Sequence, residues 1–150
     1  MKKKINKIII NYIPDNDADL DWLGKFSQEP GKFAVKHDGG SRSYPFFNAE
    51  NVENMKQAKE NYKRMMEFEN GIVSMYGVKA TAEIYTSNDG KAWLINKVSS
   101  GGLWGIESDN EEKYLKEIEV EQLDELKDVL LALGFTAKEF ATAPRETDKN

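Results

Sequence analysis

The chain has 150 residues, no cysteine and a formal net charge of −5 at pH 7. Its length predicts a single globular domain, placed at residues 1–142, with a flexible C-terminal tail over residues 143–150. The lack of cysteine excludes disulfides, thiolate metal sites and thiol nucleophiles, and it favours the reducing cytoplasm. No apolar run approaches the roughly 20 residues of a membrane helix, so we expect no membrane partner.

Acidic residues are concentrated in two blocks of the sequence. Residues 15–29 hold five acids and one lysine, and residues 102–133 hold ten acids and three lysines. Direct binding to nucleic acid needs a basic footprint, which both blocks oppose. The charge distribution therefore favours a protein partner with a basic surface and no direct contact with nucleic acid.

The first predicted element is a strand at the N-terminus. Residues 4–12 are rich in isoleucine, which is typical of a strand, and Pro14 ends it. Residues 15–31 predict a polar loop that contains one short helical turn. Asp17 or Asp19 is the expected N-cap of that turn.

A short strand and a long helix follow. Residues 32–37 predict the strand, and the glycine-rich residues 38–41 predict a turn. Apolar residues at helical spacing predict a helix over 49–69. Asn48 is the expected N-cap, and Asn70-Gly71 is the expected end of the helix.

Alternating apolar residues predict a β-hairpin in the second half of the chain. Residues 72–86 and 91–98 flank an Asp89-Gly90 turn, so we expect them to pair as antiparallel strands. The alternation is interrupted near Gly77, where a bulge would restore the phase. Residues 103–107 predict a further short strand or an extended entry to the next helix.

The last predicted element is a helix over 110–133. Asp109 and Glu112 form a capping-box pattern at its start. The apolar phase slips between Ile118 and Leu123, which predicts either a kink or two abutting helices. The complete pattern predicts an α+β fold, with a mostly antiparallel sheet of four to five strands and both long helices on one face.

The segment over residues 99–109 is the most distinctive feature of the sequence. It combines Gly101, Gly102 and Gly105 with Trp104, and glycine favours unusual backbone angles or close contacts. In the architectural interpretation the chain crosses beneath a mostly buried Trp104, which holds the last helix against the sheet. Trp104→Ala would then cost about 3–5 kcal/mol. In the functional interpretation the segment lines a binding groove, with Trp104 as the anchor.

The predicted partner-binding surface joins this segment to the acidic side of the last helix. Acids over residues 111–128 fall largely opposite the apolar positions of the helix, so we expect them to remain in solvent. Complementary charge on a partner would act mainly on the association rate. The predicted partner-binding residues are Trp104, Glu107, Asp109, Glu111, Glu112, Glu117, Glu121, Asp124, Glu125 and Asp128.

No recognisable catalytic set is present in the sequence. A nucleophile elbow, a phosphate-binding loop and a zinc-protease motif are all missing from it. The one histidine, His37, is interpreted as a turn-edge residue in a solvated loop. We therefore expect a non-enzymatic protein without a cofactor.

A cation site near the N-terminus is an alternative interpretation of the first acidic block. The candidate metal ligands are Asp15, Asp17 and Asp19. Their spacing resembles the start of a calcium-binding EF-hand loop, but Leu20 stands where glycine is required and Phe26 where the bidentate glutamate belongs. A looser site that includes Glu107 or Asp109 stays open, as does a solvated loop whose aspartates cap turns.

Residues 102–109, Gly-Leu-Trp-Gly-Ile-Glu-Ser-Asp, resemble a motif of a widespread bacterial family of small uncharacterised proteins. Further likeness covers residues 19–24, 62–80, 114–115 and 126–135. Such proteins are encoded on plasmids, conjugative elements and phages, so the resemblance implies a mobile-element accessory, and inhibition of host defence is one common role of such accessories. It implies no role for any residue.

Two functions follow as expectations. The first is an acidic protein-binding domain that acts by charge mimicry on a nucleic-acid-binding defence protein. The alternative is a domain that binds a small ligand or a divalent cation near the segment over residues 99–109.

Overall fold

The computed structural model describes residues 1–37 and 44–149, so the turn predicted at 38–41 lies outside the described residues. Two compact units are present: a larger unit of Met1–Asn16 and Met75–Asn150, and a smaller unit of Asp17–Ser74. The single-domain boundary at residue 142 stays a prediction. In chain order the elements are β1 (Lys2–Pro14), β2 (Gly24–Ser27), β3 (Ala34–Lys36), β4 (Phe46–Ala49), α1 (Met55–Glu69), β5 (Met75–Ser87), β6 (Leu94–Ser99), β7 (Leu103–Glu107), α2 (Glu112–Ala132), α3 (Ala137–Thr142) and β8 (Arg145–Asp148).

The larger unit is built on a five-stranded sheet. Its strand order is β6-β5-β1-β8, and β7 also pairs with β5. Strand β8 runs parallel to β1, whereas every other pairing is antiparallel. The predicted α+β class and the mostly antiparallel sheet are therefore confirmed, with one parallel pair that makes the sheet mixed.

The predicted hairpin is confirmed. Strands β5 and β6 pair antiparallel from Thr86↔Leu94 to Thr81↔Ser99. In the connecting turn the Asp89 carboxylate accepts hydrogen bonds from the backbone N–H groups of Lys91 and Ala92, at 2.8 and 3.0 Å. The turn is thus held by an aspartate side chain, which is a common stabilising device in tight loops.

One face of the five-stranded sheet carries the core of the larger unit. Alternate residues of β1 and β5 point to that face, as the pleat requires. They pack with α2, α3 and the buried Phe135. The fully buried members of this core include Ile8, Val78, Ala80, Ala82, Leu126 and Leu130.

Helix α2 is a single uninterrupted element over Glu112–Ala132, so the alternative of two abutting helices is wrong. Its buried positions include Ile118, Gln122, Leu126 and Leu130, which are spaced four residues apart. The apolar phase slips in the sequence because a polar residue, Gln122, occupies one position of the buried stripe.

The start of α2 differs from the prediction. Glu111 is the N-cap, and no side chain caps the helix, so the capping box expected from Asp109 and Glu112 is wrong. Thr136 and Glu139 form a capping box at the start of α3 instead.

The end of the chain also differs from the expected flexible tail. Strand β8 pairs with Ile8–Asn11 of β1. The Arg145 guanidinium lies 4.4 Å from the centre of the Phe140 ring, and its Nη2 donates to the Phe140 carbonyl oxygen at 2.9 Å. Residues 145–148 therefore add a strand to the sheet, because an edge of β1 is available for pairing.

The smaller unit has its own sheet and core. Its strand order is β2-β4-β3, and α1 packs against β3 and β4. Leu23, Phe47 and Met65 form the buried cluster. The prediction that both long helices pack on one face of one sheet is therefore wrong, since α1 belongs to a second sheet that the sequence analysis did not identify.

Helix α1 begins six residues later than predicted. Asn54 is the N-cap, and its side-chain oxygen accepts from the Gln57 N–H. Asn48 lies in β4, where its amide joins the preceding loop: it donates to the Glu29 carbonyl oxygen and accepts from the Gly31 N–H. The expected cap residue is thus engaged in a strand. The predicted end of the helix is confirmed, with Asn70 as the C-cap.

His37 is buried, contrary to its interpretation as a solvated turn residue. Its Nδ1 lies 2.9 Å from the Tyr62 hydroxyl, and its ring centre lies 4.8 Å from that of Phe26. Within the described residues its Nε2 has no hydrogen-bond partner. An aromatic contact therefore accounts for the position of this ring.

Tyr12 and Glu119 form a buried polar pair within the core of the larger unit. The Tyr12 hydroxyl donates to Glu119 Oε2, and Lys116 Nζ lies 3.6 Å from Glu119 Oε1. Burial and the hydrogen bond to Glu119 raise the pKa of Tyr12 well above its ordinary value. Since the hydroxyl keeps its proton, it remains a donor to the carboxylate.

We expect Tyr12→Phe to lower the free energy of unfolding by about 1–3 kcal/mol, because it leaves a buried carboxylate oxygen without its donor. Chemical denaturation checks this value. The double variant Tyr12→Phe/Glu119→Leu removes both partners and should be less destabilised than Tyr12→Phe alone. A double variant that is less stable than Tyr12→Phe would contradict this account.

Candidate functional site

Trp104 is a surface residue of β7 with 47% of its area exposed. The prediction that it is mostly buried is therefore wrong. Its ring covers Gly77 of β5: a Cβ atom at Gly77 would stand 2.1 Å from Cε3 of the indole. Because only glycine leaves this space, one face of the indole lies on the strand backbone while the side chain stays half in solvent.

The glycines of the segment are required by backbone geometry and by contacts. Gly102 and Gly105 have φ angles of 85° and 73°, in the left-handed region that favours glycine. A Cβ atom at Gly102 would also stand 3.0 Å from the indole Nε1. Backbone at two glycines, Gly77 and Gly102, thus lies against the Trp104 indole. This agrees with the part of the architectural interpretation in which the chain crosses beneath Trp104.

Two side chains of α2 hold the break between β6 and β7. Gln122 Oε1 accepts from the Ser100 hydroxyl at 2.7 Å and from the Gly102 N–H at 3.0 Å. Glu125 Oε1 accepts from the Gly101 N–H at 2.7 Å. We call these three hydrogen bonds the helix clamp. Glu125, predicted as a partner-binding residue, thus has an architectural contact.

A groove of about 440 Å³ lies along β7. Its exposed apolar side chains are Leu103, Trp104 and Tyr114, with 39%, 47% and 46% of their areas accessible. Glu107 also lines the groove, and Asn110 is fixed there by its donation to the Glu107 carbonyl oxygen at 2.9 Å. Asp109 is exposed in the turn between these two residues. The groove therefore combines half-exposed aromatic rings with a carboxylate.

The acidic side of α2 continues from this groove. Glu117, Glu121, Asp124 and Asp128 follow Tyr114 at spacings of three or four residues, which places them along one side of a helix. All four carboxylates are exposed. We call Tyr114 and these four acids the acidic stripe.

The two acids at the start of α2 differ in their surroundings. Glu111 is exposed at the N-cap position. Glu112 is also exposed, but its charge is one of the lesser causes that raise the pKa of Tyr12. Glu112 is therefore close to the Tyr12–Glu119 pair, away from the acidic stripe.

The candidate cation ligands are not brought together as a site. Asp15 Oδ2 accepts from the Gly105 N–H at 3.2 Å, and Asp19 Oδ1 accepts from the Asp21 N–H at 2.8 Å. Asp15 belongs to the larger unit, and Asp17 and Asp19 to the smaller one. Across residues 1–37 and 44–149, no group of three or more histidine, aspartate or glutamate side chains could hold a metal ion.

The roles of Gly77 and Gln122 were not predicted from the sequence. Both gave a signal as an interruption of a pattern: the alternation breaks near Gly77, and the helix phase slips at Gln122. The pairing of β5 with β7 shifts register between Tyr76 and Val78, which agrees with the predicted bulge, whereas the pairing with β1 continues without a shift there.

Comparison with protein-family models, curated proteins and solved structures finds no match for this chain. The resemblance to the bacterial family therefore stays a prediction. Among the described residues, no helix is both long enough and apolar enough to cross a bilayer.

Gln122→Leu tests the helix clamp. Leucine would complete the apolar stripe of α2, yet we expect a loss of about 1–3 kcal/mol of unfolding free energy, because the Ser100 hydroxyl and the Gly102 N–H lose their acceptor. The neighbouring exposed change Glu121→Leu is the control and should stay within about 0.5 kcal/mol of the wild type. Equal or greater stability of Gln122→Leu would show that the two hydrogen bonds of Gln122 contribute nothing to stability.

Trp104→Ala distinguishes a surface anchor from a core residue. Since about half of the indole remains in water, we expect a loss of about 1–2 kcal/mol. Leu126→Ala, at a fully buried position of the same unit, should cost about 2–5 kcal/mol. Thermal and chemical denaturation of both variants measure the two values. A loss for Trp104→Ala as large as that for Leu126→Ala would restore the core interpretation.

Proposed function

We propose that the protein is a non-enzymatic binding domain that presents the β7 groove and the acidic stripe to a basic protein partner in the cytoplasm. One observation carries this proposal: Tyr114 lines the groove, and the exposed carboxylates of the acidic stripe follow it along the same side of α2. Buried aromatic anchors surrounded by polar residues are typical of protein interfaces.

The groove and the stripe select the chemistry of the partner. Arginine and lysine stack on exposed indole and phenol rings through cation–π contacts. The same side chains pair with Glu117, Glu121 and Asp128 beside the groove. A partner that inserts a basic side chain near Trp104 and lays a basic surface along α2 would satisfy both features.

The resemblance to the bacterial family extends this proposal. It implies a mobile-element protein, and we propose that its partner is a nucleic-acid-binding defence protein of the host. The exposed carboxylates would occupy the basic surface that otherwise binds phosphates, and the groove would supply specificity.

A charge-reversal experiment tests the proposal. The test variant is Glu117→Lys/Glu121→Lys/Asp128→Lys, which leaves Glu125 and its bond to Gly101 intact. The control, Glu29→Lys/Glu50→Lys/Glu60→Lys, changes the net charge equally through exposed acids of the smaller unit. The wild type and each variant are immobilised and incubated with bacterial lysate at low and high salt. The bound proteins are quantified by mass spectrometry.

We expect the wild type and the control to capture the same basic proteins and the test variant to lose them. High salt should release these proteins from the wild type and the control. Tyr114→Ala and Trp104→Ala should weaken the binding of the same proteins. At low salt the purified partner should associate with the test variant at least about tenfold more slowly than with the wild type. Equal capture by the test and control variants, or an acidic partner, would refute the proposed function. Circular dichroism confirms that each variant is folded.

A further inference from the structure

The second face of the five-stranded sheet carries a cavity that the proposed function does not use. Its volume is about 270 Å³. The lining residues are Ile9, Asn11, Lys79, Thr81, Lys97 and Ser99. They alternate with core residues such as Ile10 and Ala80, so they project from the face opposite the one that α2 covers.

The break between β6 and β7 shapes one side of this cavity. The register of β5 with β6 ends at Thr81↔Ser99, so Lys79 lies beyond the last paired residue of β6. Gly102 is adjacent, since a Cβ atom there would stand 3.4 Å from the Lys79 Cβ. The same point lies 3.0 Å from the Trp104 indole Nε1, so Gly102 and the indole lie beside Lys79 at this end of the sheet face.

The lining has positive charge and hydrogen-bonding groups but no carboxylate. Lys79 and Lys97 make no ion pair within the described residues. Asn11 Nδ2 donates to Thr81 Oγ1 at 2.9 Å, which fixes both side chains and leaves the Thr81 hydroxyl proton able to donate to a ligand. Ser99 adds a second hydroxyl. Ammonium and hydroxyl donors that line one cavity suit an oxyanion.

The carboxylates on the same face lie outside the cavity lining. Glu146 pairs with Lys7 at 3.4 Å. Glu83 is opposite Lys97 in the register, but its Oε1 already accepts from the Asn6 amide at 2.8 Å. Asp148 is opposite Asn11. The two cavity lysines are therefore the nearest charges to a ligand bound within the lining.

We propose that this cavity binds a small molecule through an oxyanion group, a phosphate or a carboxylate, held by Lys79 and Lys97 with Asn11, Thr81 and Ser99 as hydrogen-bonding partners. The volume is close to the lower end of the usual range for small-ligand sites, which fits a compact metabolite. This site does not depend on the proposed protein partner, because none of its lining residues belongs to the β7 groove or the acidic stripe.

Titration of the full chain with inorganic phosphate, at constant ionic strength, tests the site. In amide-resolved NMR spectra we expect saturable shifts centred on Lys79, Thr81 and Ser99. Lys79→Gln and Lys97→Gln should each weaken binding by about tenfold, as the loss of a charge-assisted hydrogen bond predicts. Lys59→Gln, an exposed lysine of the smaller unit, is the matched control and should bind as the wild type does.

Parallel titrations with succinate and with adenosine monophosphate distinguish the two oxyanions. Tighter binding of the nucleotide would assign a phosphate ester, and tighter binding of succinate would assign a carboxylate metabolite. Shifts that do not saturate, or an equal dissociation constant for the wild type and both cavity variants, would overturn the site. Unchanged melting temperatures of the variants ensure that lost binding reflects lost charge.

Discussion

The helix clamp is the interaction on which the surface of the larger unit depends. Strands β6 and β7 pair with the same edge of β5, so the chain must leave that edge and return to it within residues 100–102. Three backbone and hydroxyl donors face α2 at this point, and Gln122 and Glu125 accept all three. Without these acceptors, donors at the break would lose their partners, which costs more than a typical hydrogen bond contributes.

The clamp has consequences on both sides of the break between β6 and β7. On one side of the break it fixes the start of β7, and with it the position of Trp104 over Gly77. On the other side it fixes the end of β6, where Ser99 faces the cavity. The bond from Ser100 to Gln122 is buried and the bond from Gly102 to Gln122 is partly buried, and satisfied polar contacts of this kind give a rigid arrangement. The groove and the cavity thus have one structural origin, although they use different side chains.

Local patterns predicted the elements whose causes are local. The Asp89-Gly90 turn, with apolar alternation on both sides, identified the hairpin, and Asn70-Gly71 identified the end of α1. In the smaller unit the predicted strand over residues 32–37 contains β3, whereas β2 and β4 have four residues each, which is too short for a period of two to be recognised. Because the three-stranded sheet was not predicted, the five-stranded sheet was the only surface on which α1 could be placed from the sequence.

The candidate site was harder to predict because its geometry depends on residues distant in the chain. The exposure of Trp104 is set by Gly77 on another strand, where a larger residue would have displaced the ring. The polarity of Gln122 breaks an apolar stripe, yet the residue is buried because its acceptor faces Ser100 and Gly102. Composition identified the segment as unusual, but only the pairing of β5 with both β6 and β7 explains why.

The net charge of −5 conceals an uneven distribution over the larger unit. The carboxylates of the acidic stripe lie on the outer side of α2, and α2 covers one face of the sheet. Lys79 and Lys97 belong to the opposite face. Most of these charged groups are exposed to solvent. Salt therefore screens the attraction between the acidic stripe and the two lysines beyond about 10 Å. Each surface therefore presents its own charge to solvent, and the chain offers a basic protein and a small oxyanion separate places to bind.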